Sequence, residues 1–397
     1  MNKKINTTTN VKEEKLSVVS LFSGCGGLDL GFKWENFDII WANDNMRDAC
    51  ETYKKNIGNH IVCKSILDID PEKIPHADLI IGGPPCQGFS GIGKRDPNDK
   101  RSSLVWSYLN IINHVKPKVF LFENVTGLKS SRSSDGLKVI DKLAEAFEGI
   151  GYKINIYTLN AADYGVPQKR KRVFIIGNQY NIDIEPPPQT HSEDGKIGKK
   201  WVSSFEAISD LGKPNDKGKI SYEKKCDCDY QKFMRINTAE TDLHITPYAS
   251  KKDIEIIKHI KPGGNYMDVP DEISTKRIMY FKKTGGRTTT YGRLDQKEPN
   301  YTLNTYFNRP NIGCNIHYSE DRMITIREGL RFQSFPDNFN LVGSTKRNFY
   351  IQVGNAVPPL LSLAWAKHLK QTLLNNSKNK SENKQILLEV FQTCLTN

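Results

Sequence analysis

The chain has 397 residues, of which 37% are hydrophobic and 26% are charged. This composition is typical of a folded globular protein and excludes a mostly disordered chain, a collagen-like repeat and a small disulfide scaffold. The length predicts two or three structural units, at roughly 150 residues each. There is no apolar run of the ~18 residues that a bilayer span requires and no signal-peptide pattern at the N-terminus, so we expect a cytoplasmic protein without a membrane partner.

Lysine and arginine outnumber aspartate and glutamate by 57 to 45, which gives a net charge of +12. An excess of this size favours a polyanionic partner, although a lysine-rich proteome would produce the same bias. Eight cysteines at scattered spacings indicate reduced thiols. Cys226 and Cys228 lack a second ligand pair at zinc spacing, and His244 and His259 have no metal-type partner in sequence, so no metal site is predicted.

The first 180 residues alternate apolar runs with helical periodicity. Strands are predicted at residues 18–22, 37–41, 61–63, 77–81, 119–122, 154–159 and 173–176. Helices are predicted between them, including residues 46–56 and a periodic stretch at 104–115. This order predicts an α/β fold with a doubly wound, mostly parallel sheet that binds ligands at the carboxyl ends of its strands.

The pattern changes after residue 177. Three prolines at 186–188 form a stiff connector, and residues 189–310 are polar with weak periodicity, which predicts a second, smaller and loop-rich domain. Periodicity returns near Ile324, residues 360–369 read as a helix, 375–384 as a polar linker and 386–391 as a short terminal helix. We therefore predict one domain from 1–187 with 345–397, and a second domain with its hinge from 188–344.

A glycine-rich turn at residues 23–27 follows the first strand and lets backbone approach a ligand closely. The dinucleotide fingerprint requires a further glycine at position 29, but that residue is Asp29, whose carboxylate would repel a pyrophosphate. Asp44, about 20 residues downstream, stands where an acid usually accepts ribose hydroxyls. A site that accepts an adenosine with a positive centre and no phosphate indicates S-adenosylmethionine as the ligand. The alternative is that residues 23–27 form only a structural turn and that Asp44 is a surface acid without a ligand.

Two reactive side chains follow neighbouring predicted strands. Cys86 comes just after the fourth strand and two prolines, where this fold places reacting groups, and it is a candidate nucleophile or else a buried filler. Glu123 ends the next strand and faces the same crevice, as a hydrogen-bonding or proton-donating acid or else a cap or ion-pair partner. If the basic run 168–172 is extended, the alternation of side chains along a strand places Arg170 and Arg172 on one face, where they suit anionic or carbonyl oxygens of a ligand. The alternative is that the run is a solvated surface segment.

Six segments occur in the order found in one known family. Residues 20–27 (SLFSGCGG), 84–87 (PPCQ), 123–125 (ENV), 168–172 (QKRKR), 327–336 (REGLRFQSFP) and 352–359 (QVGNAVPP) resemble the ordered motifs of DNA cytosine carbon-5 methyltransferases of the bacterial restriction–modification type. The resemblance covers residues 17–180 and 320–372. The chain departs from the family pattern at 64–66, where KSI replaces Gly-Asp-Ile, and at Asn45, where an aromatic residue is often found.

The resemblance implies methylation of carbon 5 of a flipped-out cytosine in double-stranded DNA. Cys86 would add to carbon 6, Glu123 would hold the N3 and amine edge, and Arg172, with Arg170 in the same motif, would steady the base and the acid. It also implies that S-adenosylmethionine contacts Phe22, Gly24, Gly26, Gly27, Asp44, Ile66, Pro84, Asn355 and Val357. The expected DNA contacts are Lys94, Arg95, Lys100 and Arg101 in a closing loop, and Arg287, Thr288, Thr289 and Arg293 in the second domain, which would read the target.

Further expectations are a monomer and a cognate restriction endonuclease as functional partner. Three alternatives remain open from the residues. A related RNA cytosine methyltransferase shares the PPC and ENV motifs, but the long middle domain favours duplex DNA. A non-catalytic DNA-binding regulator is disfavoured by the intact Cys86, Glu123 and Arg172. A nicotinamide-dependent oxidoreductase is disfavoured by Asp29 and by the PPC loop.

Overall fold

The computed structural model of the chain describes residues 15–85, 102–133 and 136–395. Its main sheet is formed by β1 (Ser17–Leu21), β2 (Asp38–Asp44), β3 (Ile61–Cys63), β4 (Leu79–Gly82), β5 (Val119–Val125), β6 (Lys153–Asn160) and β7 (Lys171–Asn178). The strand order is β3-β2-β1-β4-β5-β7-β6. Pairing is parallel from β3 to β5, while β7 is antiparallel to both β5 and β6. The predicted mostly parallel α/β sheet is confirmed.

Helices cover both faces of this sheet and extend through the second half of the chain. They are α1 (Gly27–Trp34), α2 (Arg47–Asn56), α3 (Ser102–Val115), α4 (Val139–Glu148), α5 (Ser204–Ile208), α6 (Asp229–Met234), α7 (Lys251–Lys258), α8 (Lys276–Thr284), α9 (Ile326–Phe332), α10 (Lys346–Asn355) and α11 (Pro359–Leu395). None of the helices in the described part of the chain combines the length and apolar character that crossing a bilayer requires.

Strand β5 shows how the apolar runs divide between the two faces. Phe120 and Phe122 belong to a core cluster that also contains the buried residues of α3 and α4. Val119 and Leu121 belong to the opposite cluster, with residues of α1, α2 and α11. Because successive side chains of a strand point to opposite faces, a run without polar residues requires burial on both sides. The polar residues appear only where β5 ends, at the sheet edge that carries the site.

Two glycines in α1 allow the C-terminal part of the chain to pack against it closely. A Cβ at Gly27 would lie 2.3 Å from the Val357 carbonyl oxygen, and one at Gly31 would lie 2.4 Å from the Leu363 nitrogen. No larger side chain fits either place without moving backbone. This contact brings a segment more than 320 residues downstream onto the loop that follows β1, as the resemblance implied.

Helix α11 is longer than predicted. The expected linker at 375–384 and the separate helix at 386–391 are wrong, because one helix runs from Pro359 to Leu395. The stretch 375–384 is polar but contains no glycine or proline, so nothing in it interrupts helical backbone. The first turns are anchored by buried apolar residues, including Leu361, Trp365 and Leu369.

The region 188–344 is loop-rich, as predicted, and contributes to two cores. Its first part, with Ile208 and Met234, joins the cluster of the α1 face of the sheet. A separate cluster comprises Ile256, Ile257, Ile260, Tyr266, Val269, Ile278, Tyr291, Ile316 and Met323. The assignment of 188–344 as one domain stays a prediction.

The motif segment 327–336 forms α9 and the turn after it, and its charged side chains are buried in ion pairs. The Arg327 guanidinium lies 2.6 Å from Asp242, and the Arg331 guanidinium lies 3.1 Å from Asp210. Buried charges of this kind are tolerated only when they are paired. This motif therefore ties the middle region to α9, and its role in the described structure is architectural.

Candidate active site

A cavity of about 510 Å³ lies at the carboxyl ends of β1, β2, β4 and β5. This is the place where an open α/β sheet binds ligands. Eight of the nine predicted cofactor residues line it: Phe22, Gly24, Gly27, Asp44, Ile66, Pro84, Asn355 and Val357. The catalytic candidates Glu123, Arg170 and Arg172 line the same cavity. The structure therefore brings together residues from both ends of the chain.

The loop after β1 has an unusual backbone. Phe22 has a φ of 55°, in the left-handed region that a bulky side chain seldom adopts, and it lines the cavity. Gly26 has a φ of 92°, but it does not line the cavity, and a Cβ there would lie 2.8 Å from Ile57. The expectation that Gly26 contacts a cofactor is therefore not supported by its position; this glycine is needed for the turn and for packing against α2.

Asp44 is fixed at the end of β2 by backbone donors. Its carboxylate accepts hydrogen bonds from the Gly24 and Met46 amides, both at 2.8 Å. Burial raises the pKa of Asp44, and the same amide bonds oppose that effect. The carboxylate is thus oriented at the cavity wall, where its remaining lone pairs can accept ligand hydroxyls.

Asp29 lies elsewhere than the sequence argument assumed. It is fully buried in the first turn of α1, does not line the cavity, and accepts a hydrogen bond from the Tyr53 hydroxyl at 2.8 Å. Desolvation raises its pKa to about 6. The side chain belongs to the core between α1 and α2, so direct repulsion of a bound pyrophosphate by Asp29 is not a sound argument.

The two positions that depart from the family pattern both line the cavity. Asn45 follows the Asp44 carboxylate, and Ser65 caps a short helical turn by accepting from the Leu67 amide at 3.3 Å. Further lining residues that the sequence analysis did not single out are Met46, Leu104 and Gln352. Met46 could have been indicated by its proximity to a predicted strand end. Gln352 belongs to the motif 352–359, but its place in the cavity wall becomes recognisable only from the fold.

Glu123 and Arg172 form a buried ion pair at the end of β5. The Arg172 Nε lies 3.0 Å from the Glu123 Oε1, and each residue is only 9% exposed. Arg172 pairs with Val125 across the antiparallel strands, so it is the diagonal neighbour of Glu123 on the same sheet face. Burial raises the pKa of Glu123, and the positive charges of Arg172 and Arg170 partly offset it. The site thus holds an acid whose proton affinity exceeds that of a free glutamate.

The adjacent Asn124 anchors the loop that leads to the candidate nucleophile. Its side-chain amide donates to the Pro84 carbonyl at 2.9 Å, which ties the end of β5 to the loop after β4. Cys86 itself lies outside the described residues, as do Lys94, Arg95, Lys100 and Arg101. Pro84 and Pro85 line the cavity beside Glu123, so the described chain reaches the site immediately before Cys86.

Arg170 is placed beside Arg172, but it is used differently. It is 1% exposed, and its guanidinium donates to the carbonyls of Leu303 at 3.0 Å, Gly354 at 2.8 Å and Ala356 at 3.1 Å. These three carbonyls belong to the second half of the chain. Arg170 therefore holds the C-terminal loop against the sheet, a contact that the sequence did not indicate, and its catalytic role stays a prediction.

The predicted DNA-contacting residues of the middle region divide into two groups. Arg287 and Thr289 line an open cavity of about 830 Å³ together with Arg277, Tyr280 and Lys169, and Thr288 is exposed beside it. Arg293 is 4% exposed and donates to the carbonyls of His317, Glu320 and Ile257 and to the Asp321 carboxylate. Arg293 is thus a buried residue whose guanidinium is engaged within the protein, so its position does not support the expected DNA contact.

Metal binding has no obvious location in the described ranges, where no group of three or more His, Cys, Asp or Glu side chains is arranged to hold an ion. The cysteines of the 226–228 segment are described as free thiols.

Comparison with solved structures defines the class first. The chain resembles a protein described as a DNA modification methyltransferase encoded within an E. coli prophage, with a TM-score of 0.69 and 25% identity over 91% of this chain and 100% of that one. Schizosaccharomyces pombe Dnmt2 methyltransferase shares the fold at a TM-score of 0.57 and 19% identity, covering 90% of this chain and 99% of that one. The fold is that of a methyltransferase.

Sequence comparison then gives the family. The model of C-5 cytosine-specific DNA methylases matches residues 16–371. Type II methyltransferase M.NgoFVII of Neisseria gonorrhoeae is 36% identical over 92% of this chain and 90% of its own length. Type II methyltransferase M.DdeI of Desulfomicrobium norvegicum is 34% identical over 89% and 88%. The chain belongs to the C-5 cytosine-specific DNA methylase family and is a DNA cytosine-5 methyltransferase, which confirms the resemblance.

Proposed function

We propose that this methyltransferase takes its methyl group from S-adenosylmethionine and transfers it to carbon 5 of a specific cytosine flipped out of duplex DNA, through covalent addition of Cys86. The observation that carries the proposal is the Glu123–Arg172 pair, 3.0 Å apart, in the same cavity as Asp44 and the Pro84–Pro85 approach to Cys86. The acid that would hold the cytosine and the polar wall that would hold the cofactor thus line one cavity.

The residues present fit S-adenosylmethionine. The Asp44 carboxylate is oriented by two amides to accept ribose hydroxyls, and the Phe22 backbone brings an aromatic ring to the cavity wall. The guanidinium groups nearby are engaged by Glu123 and by backbone carbonyls, which leaves an acidic surface suited to a cationic ligand without phosphate. When bound, the cofactor supplies an electrophilic methyl group on a sulfonium.

Carbon 5 of cytosine is a weak nucleophile, and the protein must make it electron-rich. In the proposed reaction, the Cys86 thiolate forms a bond to carbon 6, and Glu123 hydrogen-bonds the N3 and amine edge, where negative charge develops. Arg172 holds the Glu123 carboxyl in place. Carbon 5 would then take the methyl group as the donor's sulfur–methyl bond breaks, with the neutral thioether as leaving group. A base removes the carbon-5 proton, and the bond between carbon 6 and the Cys86 sulfur breaks, which restores the aromatic ring and the thiolate.

The target base must leave the stack to reach this cavity, because its ring carbons are covered in a duplex. Extrusion of a paired base costs about a few kcal/mol, which contacts to the phosphate backbone can offset. The net charge of +12 supplies the electrostatic attraction for those contacts. By analogy with the Type II relatives, the biological role is to protect host DNA from a cognate restriction endonuclease, with the enzyme acting as a monomer.

The test uses duplex DNA that carries 5-fluorocytosine at the methylated position, first located by bisulfite sequencing of DNA from cells with and without the gene. Wild-type enzyme and S-adenosylmethionine should give a covalent complex that survives denaturation and maps to Cys86. Cys86→Ser should abolish both trapping and methyl transfer while binding of unmodified duplex survives.

The matched control is Cys63→Ser, which removes an exposed thiol from the end of β3. It should trap DNA as efficiently as wild type. Methyl transfer by Cys86→Ser at the wild-type rate would refute the nucleophile assignment. Transfer to transfer RNA, with none to any duplex DNA, would instead favour an RNA substrate.

A further inference from the structure

A second cluster of positive charge lies close to the site and is not used by the mechanism above. Arg309 and Arg347 are both exposed and both lie against the ring of Tyr306, with guanidinium carbons 5.2 Å and 5.8 Å from its centroid. An Arg347 nitrogen also donates to the Tyr306 hydroxyl at 3.2 Å. Arg309 and Arg347, the arginine pair, line a cavity of about 430 Å³ together with Tyr306.

The arginine pair has no acidic counterpart in the described parts of the chain, where no carboxylate forms an ion pair with either guanidinium. The nearby Asp253 instead accepts hydrogen bonds from the Ser250 hydroxyl and amide in a helix cap. Two like charges placed on one ring repel each other unless an anion joins them. The tyrosine reduces their freedom, so less side-chain entropy is lost when they bind a ligand.

The loop that carries Arg309 is held by side-chain hydrogen bonds and by packing against α10. The Asn304 carboxamide accepts from the Tyr306 amide at 2.7 Å and donates to the Ile312 carbonyl at 3.2 Å, and Asn315 donates to the Arg309 carbonyl at 3.1 Å. The loop also packs on α10, since a Cβ at Gly354 would lie 2.6 Å from the Asn304 carbonyl carbon. These contacts position the backbone that carries Arg309 against the helix that carries Arg347.

Helix α10 gives the distance between the two sites. Arg347 lines the cavity of the arginine pair, whereas Ile351 and Gly354, four and seven residues later on the same helical face, line the catalytic cavity. Seven residues of helix rise about 10 Å. One DNA strand carries a phosphate about every 3.4 Å along the axis, so a strand that ran parallel to α10 would span about three nucleotides over this rise.

On the far side, the same loop borders the cavity that holds Arg287 and Thr289. Ile312 lines both that cavity and the cavity of the arginine pair. A duplex that places one base in the catalytic cavity and its flanking bases at Arg287 would thus pass the arginine pair. Guanidinium groups suit phosphate because they donate from a planar fork.

We infer that Arg309 and Arg347 form a phosphate clamp for the duplex, gripping backbone within about three nucleotides of the target cytosine. The inference rests on the proposed function, because it takes duplex DNA as the ligand. The clamp contributes affinity and register and carries no base specificity.

The experiment measures binding of a duplex containing the target site by fluorescence anisotropy from 50 to 200 mM NaCl. Each phosphate contact contributes about 0.9 to the slope of log Kd against log salt. The double variant Arg309→Gln/Arg347→Gln should lose about 1.8 from that slope, so that the ratio of Kd at 200 mM to Kd at 50 mM falls about 12-fold. Arg309→Lys/Arg347→Lys should keep most of the slope, because the charges remain.

The matched control is Lys55→Gln/Lys73→Gln, which removes two exposed positive charges from the region of β3 and is expected to leave the slope within about 0.3 of wild type. Turnover at saturating DNA should stay within about twofold in all of these variants, and calorimetric binding of S-adenosylmethionine shows that they are folded. An unchanged slope in the arginine double variant, or an equal loss in the lysine control, overturns the clamp.

Failure of the clamp is distinguishable from failure of the proposed function. If wild-type enzyme methylates duplex DNA but the Gln double variant keeps the wild-type slope, only the clamp is refuted. If wild-type enzyme methylates no duplex, the proposed function fails first. Displacement of wild-type enzyme from DNA by micromolar pyrophosphate, with no dependence of DNA affinity on the arginine pair, would assign the cluster to a free phosphate ligand and also overturn the clamp.

Discussion

Replacing Arg170 tests whether this residue acts in chemistry or in assembly of the site. Its guanidinium donates to three buried carbonyls, those of Leu303, Gly354 and Ala356. A hydrogen bond to a charged group contributes about 1.5–3 kcal/mol, and the recovered hydration of the buried charge offsets part of the total. We therefore expect Arg170→Ala to lower the free energy of unfolding by about 3–5 kcal/mol.

The assay combines urea or thermal unfolding with steady-state kinetics. Because the lost bonds hold residues 354–356 at the cofactor cavity, KM for S-adenosylmethionine should rise at least tenfold, and the turnover that remains at saturating cofactor and DNA should fall less. Arg170→Lys should be intermediate, since one ammonium cannot reach all three carbonyls.

Lys169→Ala is the matched control. It removes a neighbouring charge whose ion pair with Glu298, at 2.9 Å, is partly exposed, and it should alter stability by less than about 1 kcal/mol. The reasoning is refuted if Arg170→Ala unfolds at the wild-type midpoint yet has lost turnover at saturating cofactor, because that result indicates direct participation in the reaction.

Three further predictions concern the helix contact, the buried acid and the cofactor wall. Gly31→Ala should destabilise the fold by about 1–3 kcal/mol in thermal unfolding, because its Cβ would lie 2.4 Å from the backbone of α11. Gly127→Ala is the control and should be nearly neutral, because the nearest atom to its Cβ would lie 3.9 Å away. Equal unfolding midpoints of the two variants would contradict this. Asp29 has its pKa raised to about 6 from 3.8, so the native state retains a proton that the unfolded chain releases, and stability from this group is lost as pH rises from 4 to 6. The stability of Asp29→Asn relative to wild type should thus increase by about 2–2.5 kcal/mol between pH 4 and pH 7 in urea titrations, and a pH-independent difference would disprove the assignment. Asp44→Ala should weaken calorimetric binding of S-adenosylmethionine at least tenfold and DNA binding far less; equal losses would count against its role at the cofactor wall.

The sheet and most of its cavity were predictable because apolar periodicity and strand-end chemistry are local signals. Asp44 and Glu123 stand at or near the carboxyl ends of strands, and the carboxyl ends of parallel strands meet at one edge of the sheet. Strand limits were less predictable: β5 continues through Glu123 to Val125 because backbone pairing with β7 persists after the apolar run ends.

Residues whose partners are distant in sequence were not predictable. Arg170 and Arg293 are basic residues in polar surroundings, so the sequence suggests ligand contacts for both. Their actual partners are carbonyls brought in by folding, at separations of up to 186 residues for Arg170 and 36 for Arg293. Similarly, Asp29 is polar in sequence but lies in the core, because the Tyr53 hydroxyl from α2 reaches it.

The close packing of Gly27 against the Val357 carbonyl has a consequence for biosynthesis. Asn355 and Val357 line the same cavity as Asp44, and they are added after about nine-tenths of the chain has been synthesised. The nascent sheet can form while its methyl-donor pocket still lacks one side. We therefore expect chains that end before Asn355 to lack one wall of the proposed donor pocket.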